Sequence, residues 1–140
     1  MNITLLSIGK TKNTHCAALE DEYAKRIGGR MQFSRRYVKN AKELLSILQK
    51  TAGTIVLLDE NGSVMNSREF AAYVEKELHT IQDMTFVIGD AEGFPPEVRA
   101  INADMLALSE MTFPHELARV LFIEQLYRAQ TILDGHPYHK

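Results

Sequence analysis

The last five residues of this chain, His136-Pro137-Tyr138-His139-Lys140, hold an aromatic ring, two imidazoles and a cation. An RNA base could stack on Tyr138 while Lys140 meets a phosphate. A frayed end is the plainer account, because termini are usually poorly ordered; Pro137 stiffens this one. Before the tail runs a long helix that is apolar on nearly every side: Leu117, Val120, Leu121, Phe122, Ile123, Leu126, Tyr127, Ile132 and Leu133. Such a helix is buried on more than one face, which in a short chain suggests its own sheet and a second subunit. The charges kept in it, Arg119, Glu124 and Arg128, are paired or functional. Glu124 precedes Arg128 by four positions, the favoured order for an ion pair.

Three segments behind apolar runs are candidate ligand sites: Leu57-Leu58-Asp59, Ile88-Gly89-Asp90-Ala91-Glu92-Gly93 and Leu108-Ser109-Glu110-Met111-Thr112-Phe113. Glycines in the second let backbone approach a ligand closely. It is neither a P-loop nor a dinucleotide fingerprint, because the spacing is wrong, and an ordinary strand-to-helix turn accounts for it as well. The backbone of the third could bond an adenine edge, with Met111 and Phe113 flanking the ring; a loop with two core anchors is the simpler reading. The five histidines form no metal-binding pair on one helix face, Cys16 is alone, and no nucleophile elbow supports a hydrolase.

The elements that must position these residues alternate. Strands are expected at Ile3–Ile8, Phe33–Val38, Thr54–Asp59, Met84–Gly89 and Met105–Leu108, with a turn at Asn61-Gly62. Helices are expected at Thr14–Ile27, Ala41–Thr51 and Asn66–Ile81, then a short one opened by Pro95-Pro96, then the final one. Asn66 with Glu69 resembles a capping box. This pattern predicts an α/β fold with a mostly parallel sheet and helices on both faces, in one domain over residues 1–140. In such sheets ligands bind beyond the carboxyl ends of the strands. No apolar run is long enough to span a membrane, and the start of the chain does not suit a signal peptide; a cytoplasmic protein is expected.

Net charge is −2, but the charge is uneven. Tyr23 to Lys42 holds seven basic residues and no acid (Lys25, Arg26, Arg30, Arg35, Arg36, Lys39, Lys42). The island could bind phosphate backbone, or it could be balanced by acids near in space.

In their order, these segments resemble one family, the bacterial large-subunit ribosomal RNA methyltransferase H (RlmH) enzymes of the SPOUT class. The matching pieces are Ile3–Lys10, Val56–Asp59 with Gly62, Phe86–Gly89 with Glu92-Gly93, and above all Leu108 through Lys140, with Thr-Phe-Pro-His, Leu-Tyr-Arg-Ala and Pro-Tyr-His-Lys. The resemblance implies a C-terminal trefoil knot, an obligate homodimer packed through it, and S-adenosyl-L-methionine in a crevice walled by Leu58, Gly89, Leu108, Ser109, Glu110, Met111, Thr112 and Phe113. It implies methylation of a pseudouridine ring nitrogen, N3, in large-subunit rRNA within the assembled ribosome, without membrane or metal. The attacking nitrogen must shed a proton. His139 is the first candidate for the base and Glu124 the second. Arg128 or Lys140 would stabilise the developing oxygen charge, and Tyr138 would hold the base. Two departures stand out. Asp90 replaces a second glycine of the family pattern, and the chain is shorter than typical members, with the shortening placed between Val38 and Thr54. A non-catalytic ribosome-binding factor and a methyltransferase for another RNA site are the other readings.

Overall fold

A computed structural model describes residues 2–80 and 83–140. Five strands, β1 (Asn2–Ile8), β2 (Gln32–Val38), β3 (Thr54–Val64), β4 (Asp83–Ile88) and β5 (Asp104–Ala107), form one sheet in the order β2-β1-β4-β3-β5. Every neighbouring pair is parallel, so all the carboxyl ends share one rim. β1, β3 and β4 are buried on both faces, which is why they read as nearly continuous apolar runs. Ile3, Leu5, Val56, Met84, Phe86 and Ile88 face one side; Leu6, Ile8, Ile55, Leu57 and Val87 face the other.

Helices α1 (Thr14–Ala24), α3 (Ser67–Thr80) and α5 (His115–Leu133) cover the first face, and α2 (Ala41–Leu48) and α4 (Pro96–Arg99) the second. α5 lies between α1 and α3. Its Phe122 stands 4.6 Å from Phe86 of β4 and 6.3 Å from Phe70 of α3, ring centre to ring centre. The capping box at α3 is present: Glu69 N–H donates to Asn66 Oδ1 at 2.9 Å and Asn66 N–H to Glu69 Oε2 at 2.8 Å. The expected end of this helix at Ile81 lies outside the described residues.

The α/β expectation holds; several boundaries differ. α1 stops at Ala24 and α2 at Leu48, each followed by a tighter turn instead of running to Ile27 and Thr51. β3 does not end at Asp59. Leu58 and Ser63 both pair with Leu106 of β5, so residues 59–62 make a detour and the strand then resumes. The expected Asn61-Gly62 turn is not made: both residues lie within β3, at the shift in register, where Asn61 N–H donates to Asp59 Oδ1 at 2.9 Å. A Cβ on Gly62 would sit 2.6 Å from the Leu106 nitrogen and the Met105 carbonyl carbon. Because those are backbone atoms, Gly62→Ala should cost about 1–3 kcal/mol, read as a lower urea midpoint; an unchanged midpoint would show that the detour can move aside.

Candidate active site

The rim of the sheet opens into a cleft of about 660 Å³ where the β3 detour meets the ends of β4 and β5. Leu58, Ile88, Leu108, Met111 and Phe113 give it apolar walls, and the turn from Gly89 to Phe94 gives it a backbone wall. Of the residues expected around a cofactor, Leu58, Gly89, Leu108, Ser109, Met111, Thr112 and Phe113 line it; Glu110 is exposed and lies outside the lining. Three segments far apart in sequence thus meet in one place.

Local bonds set their shapes. Ser109 Oγ accepts the Met111 N–H at 3.0 Å, and Thr112 Oγ1 reaches across to Glu60 on the β3 detour at 2.5 Å. Met111 is 74% exposed at the mouth. Gly89 packs against its own turn: a Cβ there would meet the Gly93 carbonyl oxygen at 3.0 Å. Asp90 is used locally too, its Oδ1 accepting the Glu92 N–H at 2.9 Å.

The cleft carries Asp59, Glu60, Asp90 and Glu92 against one guanidinium, Arg99. Arg99 is fixed by Asp59 Oδ2 at 2.5 Å and by the Phe94 carbonyl at 3.3 Å. Phe94, at the end of the turn, and Arg99, the last residue of α4, also line the cleft, and the sequence reading named neither. Among the described residues no group of three or more His, Cys, Asp or Glu side chains is placed to hold a metal ion, and no helix is long and apolar enough to cross a membrane.

A second cluster gathers on the far half of α5. The expected pair is made: Arg128 Nη2 lies 2.6 Å from Glu124 Oε1, with Nε at 3.0 Å. Tyr138 OH donates to the same oxygen at 3.1 Å, and Gln125 Nε2 to Oε2 at 2.9 Å. Glu124 is therefore saturated by donors. The Arg128 guanidinium sits 4.9 Å over the Tyr138 ring, which is 4.7 Å from Tyr127. Burial, then the bond to Glu124, pushes the Tyr138 phenol up to about 12, so it stays a donor at neutral pH. Glu124 also raises the pKa of Arg128. Arg128 Nη1 is 3.1 Å from His139 Nδ1. Since guanidinium only donates, Nδ1 accepts, and a neutral ring carries its proton on Nε2. Lys140 is exposed.

None of Glu124, Arg128, Tyr138, His139 and Lys140 lines the cleft. Ala118, at the near end of α5, does, and Arg128 lies ten residues further on, about 15 Å along the helix.

A third feature was flagged in the sequence only as a retained charge. Arg119 is fully buried. It donates to the Gly9 carbonyl at 2.8 Å and to Thr11 Oγ1, and stacks 5.2 Å over Tyr37. Thr11 in turn bonds the carboxylate of buried Glu20. Leu117 and Leu121 of α5 and Leu19 of α1 remain exposed.

Comparison with known proteins agrees with this geometry. The sequence model described as "Predicted SPOUT methyltransferase" matches residues 1–139. A solved structure of a probable methylase family protein from Haemophilus influenzae Rd KW20 superposes with a TM-score of 0.61 at 12% identity, over 99% of this chain and 70% of that one; it shares the fold. Ribosomal RNA large subunit methyltransferase H of Flavobacterium psychrophilum is 39% identical over 155 residues, covering 99% of both chains. The protein of that name from Anaeromyxobacter dehalogenans is 37% identical over 153 residues and the whole of both. The fold is that of the SPOUT methyltransferases. Within that class the chain belongs to the large-subunit ribosomal RNA methyltransferase H family. Both alignments are longer than this chain's 140 residues, so these relatives carry positions that it lacks.

Burial raises the Glu20 carboxyl above its ordinary 4.5, outweighing Thr11, Arg119 and Arg35. The folded chain then holds this proton more tightly than the unfolded one. The associated stability is full below pH 4.5 and is lost as pH rises through the folded-state value. Glu20→Gln should flatten that decline, measured as urea midpoints from about pH 4 to about pH 7; an unchanged slope would remove Glu20 as the titrating group.

Proposed function

We propose that this protein transfers a methyl group from S-adenosyl-L-methionine to N3 of a pseudouridine in large-subunit ribosomal RNA, acting in the cytoplasm on assembled ribosomes. The observation that carries the reading is the cleft where the β3 detour and the ends of β4 and β5 meet, in a chain of this family. Its volume, apolar walls and exposed turn backbone suit a nucleoside-bearing ligand. Its carboxylates suit one with a cationic sulfonium and ammonium.

Leu58, Gly89, Leu108, Ser109, Met111, Thr112 and Phe113 would hold the cofactor, with the loop backbone toward the adenine edge and Met111 and Phe113 beside the ring. When bound, the cofactor supplies an electrophilic methyl group, which leaves the protein chiefly the task of alignment. His139 takes the proton of the attacking nitrogen. Glu124 suits that task less, because its oxygens already receive Arg128, Tyr138 and Gln125. Tyr138 stacks the base. Arg128 or Lys140 stabilises the developing oxygen charge; when Arg128 turns to that oxygen it frees the Nδ1 lone pair of His139.

The separation of tail and cleft within one chain supports a homodimer in which the tail of one subunit completes the cleft of the other. The exposed Leu117 and Leu121, 45% and 38% accessible, supply apolar surface for that contact. The C-terminal trefoil knot implied by the family resemblance belongs to the same proposal, as does a single domain over residues 1–140.

The direct test is methyl transfer from labelled S-adenosylmethionine to ribosomes lacking the modification, beside free rRNA. Incorporation at one pseudouridine of assembled ribosomes is expected. A dimeric, ribosome-bound protein that transfers nothing would favour a binding factor, and transfer elsewhere would favour another RNA site. His139→Ala should lose turnover at saturating cofactor while binding cofactor normally; full turnover would remove His139 from the chemistry. Leu117→Glu with Leu121→Glu should sediment as a folded, inactive monomer, and an intact dimer would move the interface elsewhere.

A further inference from the structure

The basic island of the sequence does not survive as one patch. Lys25 and Arg26 pair with Glu22, Arg30 pairs with Asp134, and Arg35 pairs with Asp21 and Glu20. Arg36, Lys39 and Lys42 are exposed and have no ion-pair partner among the described residues. Two cations from outside the island, Lys10 and Lys12, are in the same state.

The topology brings these five together. β1 and β2 end in register, Ile8 beside Val38, and the Gly9 N–H donates to the Val38 carbonyl at 2.7 Å. Lys10 and Lys39 therefore leave adjacent strands side by side. Arg36 lies on β2, the edge strand, and Lys42 in the first turn of α2. Lys12 sits in the β1–α1 loop, whose Lys12 and Asn13 N–H groups both donate to Glu116 Oε1 at 2.9 Å. His115, the neighbour of Glu116, lines the cleft, so the cations run up to its mouth. The nearby acids are committed to backbone: Glu116 to this loop, and Glu43 to the Lys39 N–H at 2.8 Å. Arg119 pins the loop from below through Gly9 and Thr11, so Lys10 and Lys12 are presented on fixed backbone.

We propose that RNA phosphate backbone docks along this rim, on Lys10, Lys12, Arg36, Lys39 and Lys42, leading the substrate to the cleft. The proposal rests on the RNA-methyltransferase reading. A phosphate strand is drawn to the β1–β2 half of the rim and repelled from the carboxylate-lined β3–β4–β5 half, which leaves the cleft to a cationic ligand. Phosphate contacts fix register and orientation without reading sequence.

The test compares two triple variants of equal charge change, both in the full-length protein. Lys10→Gln/Lys39→Gln/Lys42→Gln removes rim cations; Lys25→Gln/Arg26→Gln/Arg30→Gln removes paired ones. Ribosome binding is measured against salt, and S-adenosylmethionine binding by calorimetry. The rim variant should bind ribosomes more weakly, with the log–log salt slope reduced by about 1 per cation removed, and should keep its cofactor affinity. The control should keep the wild-type slope. Equal losses in both variants would mean that bulk charge matters and not this rim. A loss of affinity with an unchanged slope would mean a protein contact in place of phosphate, and would equally overturn the proposal. Wild-type methylation with a normal rim variant would sink the docking surface alone. Wild-type binding without methylation would sink the enzymatic reading and leave the rim to be judged by its slope.

Discussion

A guanidinium cut off from water must find compensation inside the protein, since taking an ion out of water costs several kcal/mol even after relaxation. Arg119 is in that position. Its compensation comes from four separate elements: the Gly9 carbonyl at the end of β1, the Thr11 hydroxyl in the following loop, the Tyr37 ring of β2, and the Glu20 charge of α1 reached through Thr11. Each partner tolerates little displacement before a buried polar group is left alone. Arg119 Nε and Glu20 Oε1 already have no hydrogen bond among the described residues. The start of α5 is thereby locked to the rim. With it is locked the segment from Leu108 to Pro114, which runs directly into α5 and walls the cleft.

That lock also governs the electrostatics. Because every strand is parallel, one rim receives all the strand ends, and the order β2-β1-β4-β3-β5 divides it. Exposed lysines and Arg36 stand at or near the ends of β1 and β2, while Asp59 and Glu60 lie in the β3 detour and Asp90 and Glu92 follow β4. A net charge of −2 thus conceals two opposed fields on one edge. Neither field shows in the overall composition, and only the sheet order makes them neighbours.

How much of this was legible follows from range. The alternation of elements, the parallel sheet, the capping box at Asn66 and the Glu124–Arg128 pair depend on periodicity or on residues within four positions of each other. The meeting of Leu58, Gly89 and Leu108 follows from the rule that parallel sheets bind at their carboxyl ends. What could not be read depends on distant partners. Arg30 finds Asp134 and Arg119 finds Gly9 across more than a hundred residues. Those two pairings turn one cation of an apparent binding patch into a structural one and a retained helix charge into a hub, while Lys25 and Arg26 pair locally with Glu22. The β3 detour was missed for a related reason. Asn61-Gly62 reads as a turn, but nothing local shows that the strand runs on through it beside β5.

α5 then sets a limit on how the chemistry can be arranged. A continuous helix does not bend far without a proline, a bulge or a similar break, and residues 115–133 contain no proline or glycine. The about 15 Å of rise between Ala118 at the cleft and Arg128 is therefore a fixed spacer. Tyr138 and His139 are held at its far end by the ring stack and the bond to Arg128. A cofactor in the cleft of one chain and the Arg128 cluster of that same chain are kept apart by the element that carries both. Under the proposed homodimer a second α5 would approach from outside, and the side chains that would meet it, Leu117 and Leu121, are among the few large apolar groups this helix leaves in water. In the proposed homodimer the same rigidity would hold each tail at a set distance from its own cleft and so fix where the partner's cleft has to lie.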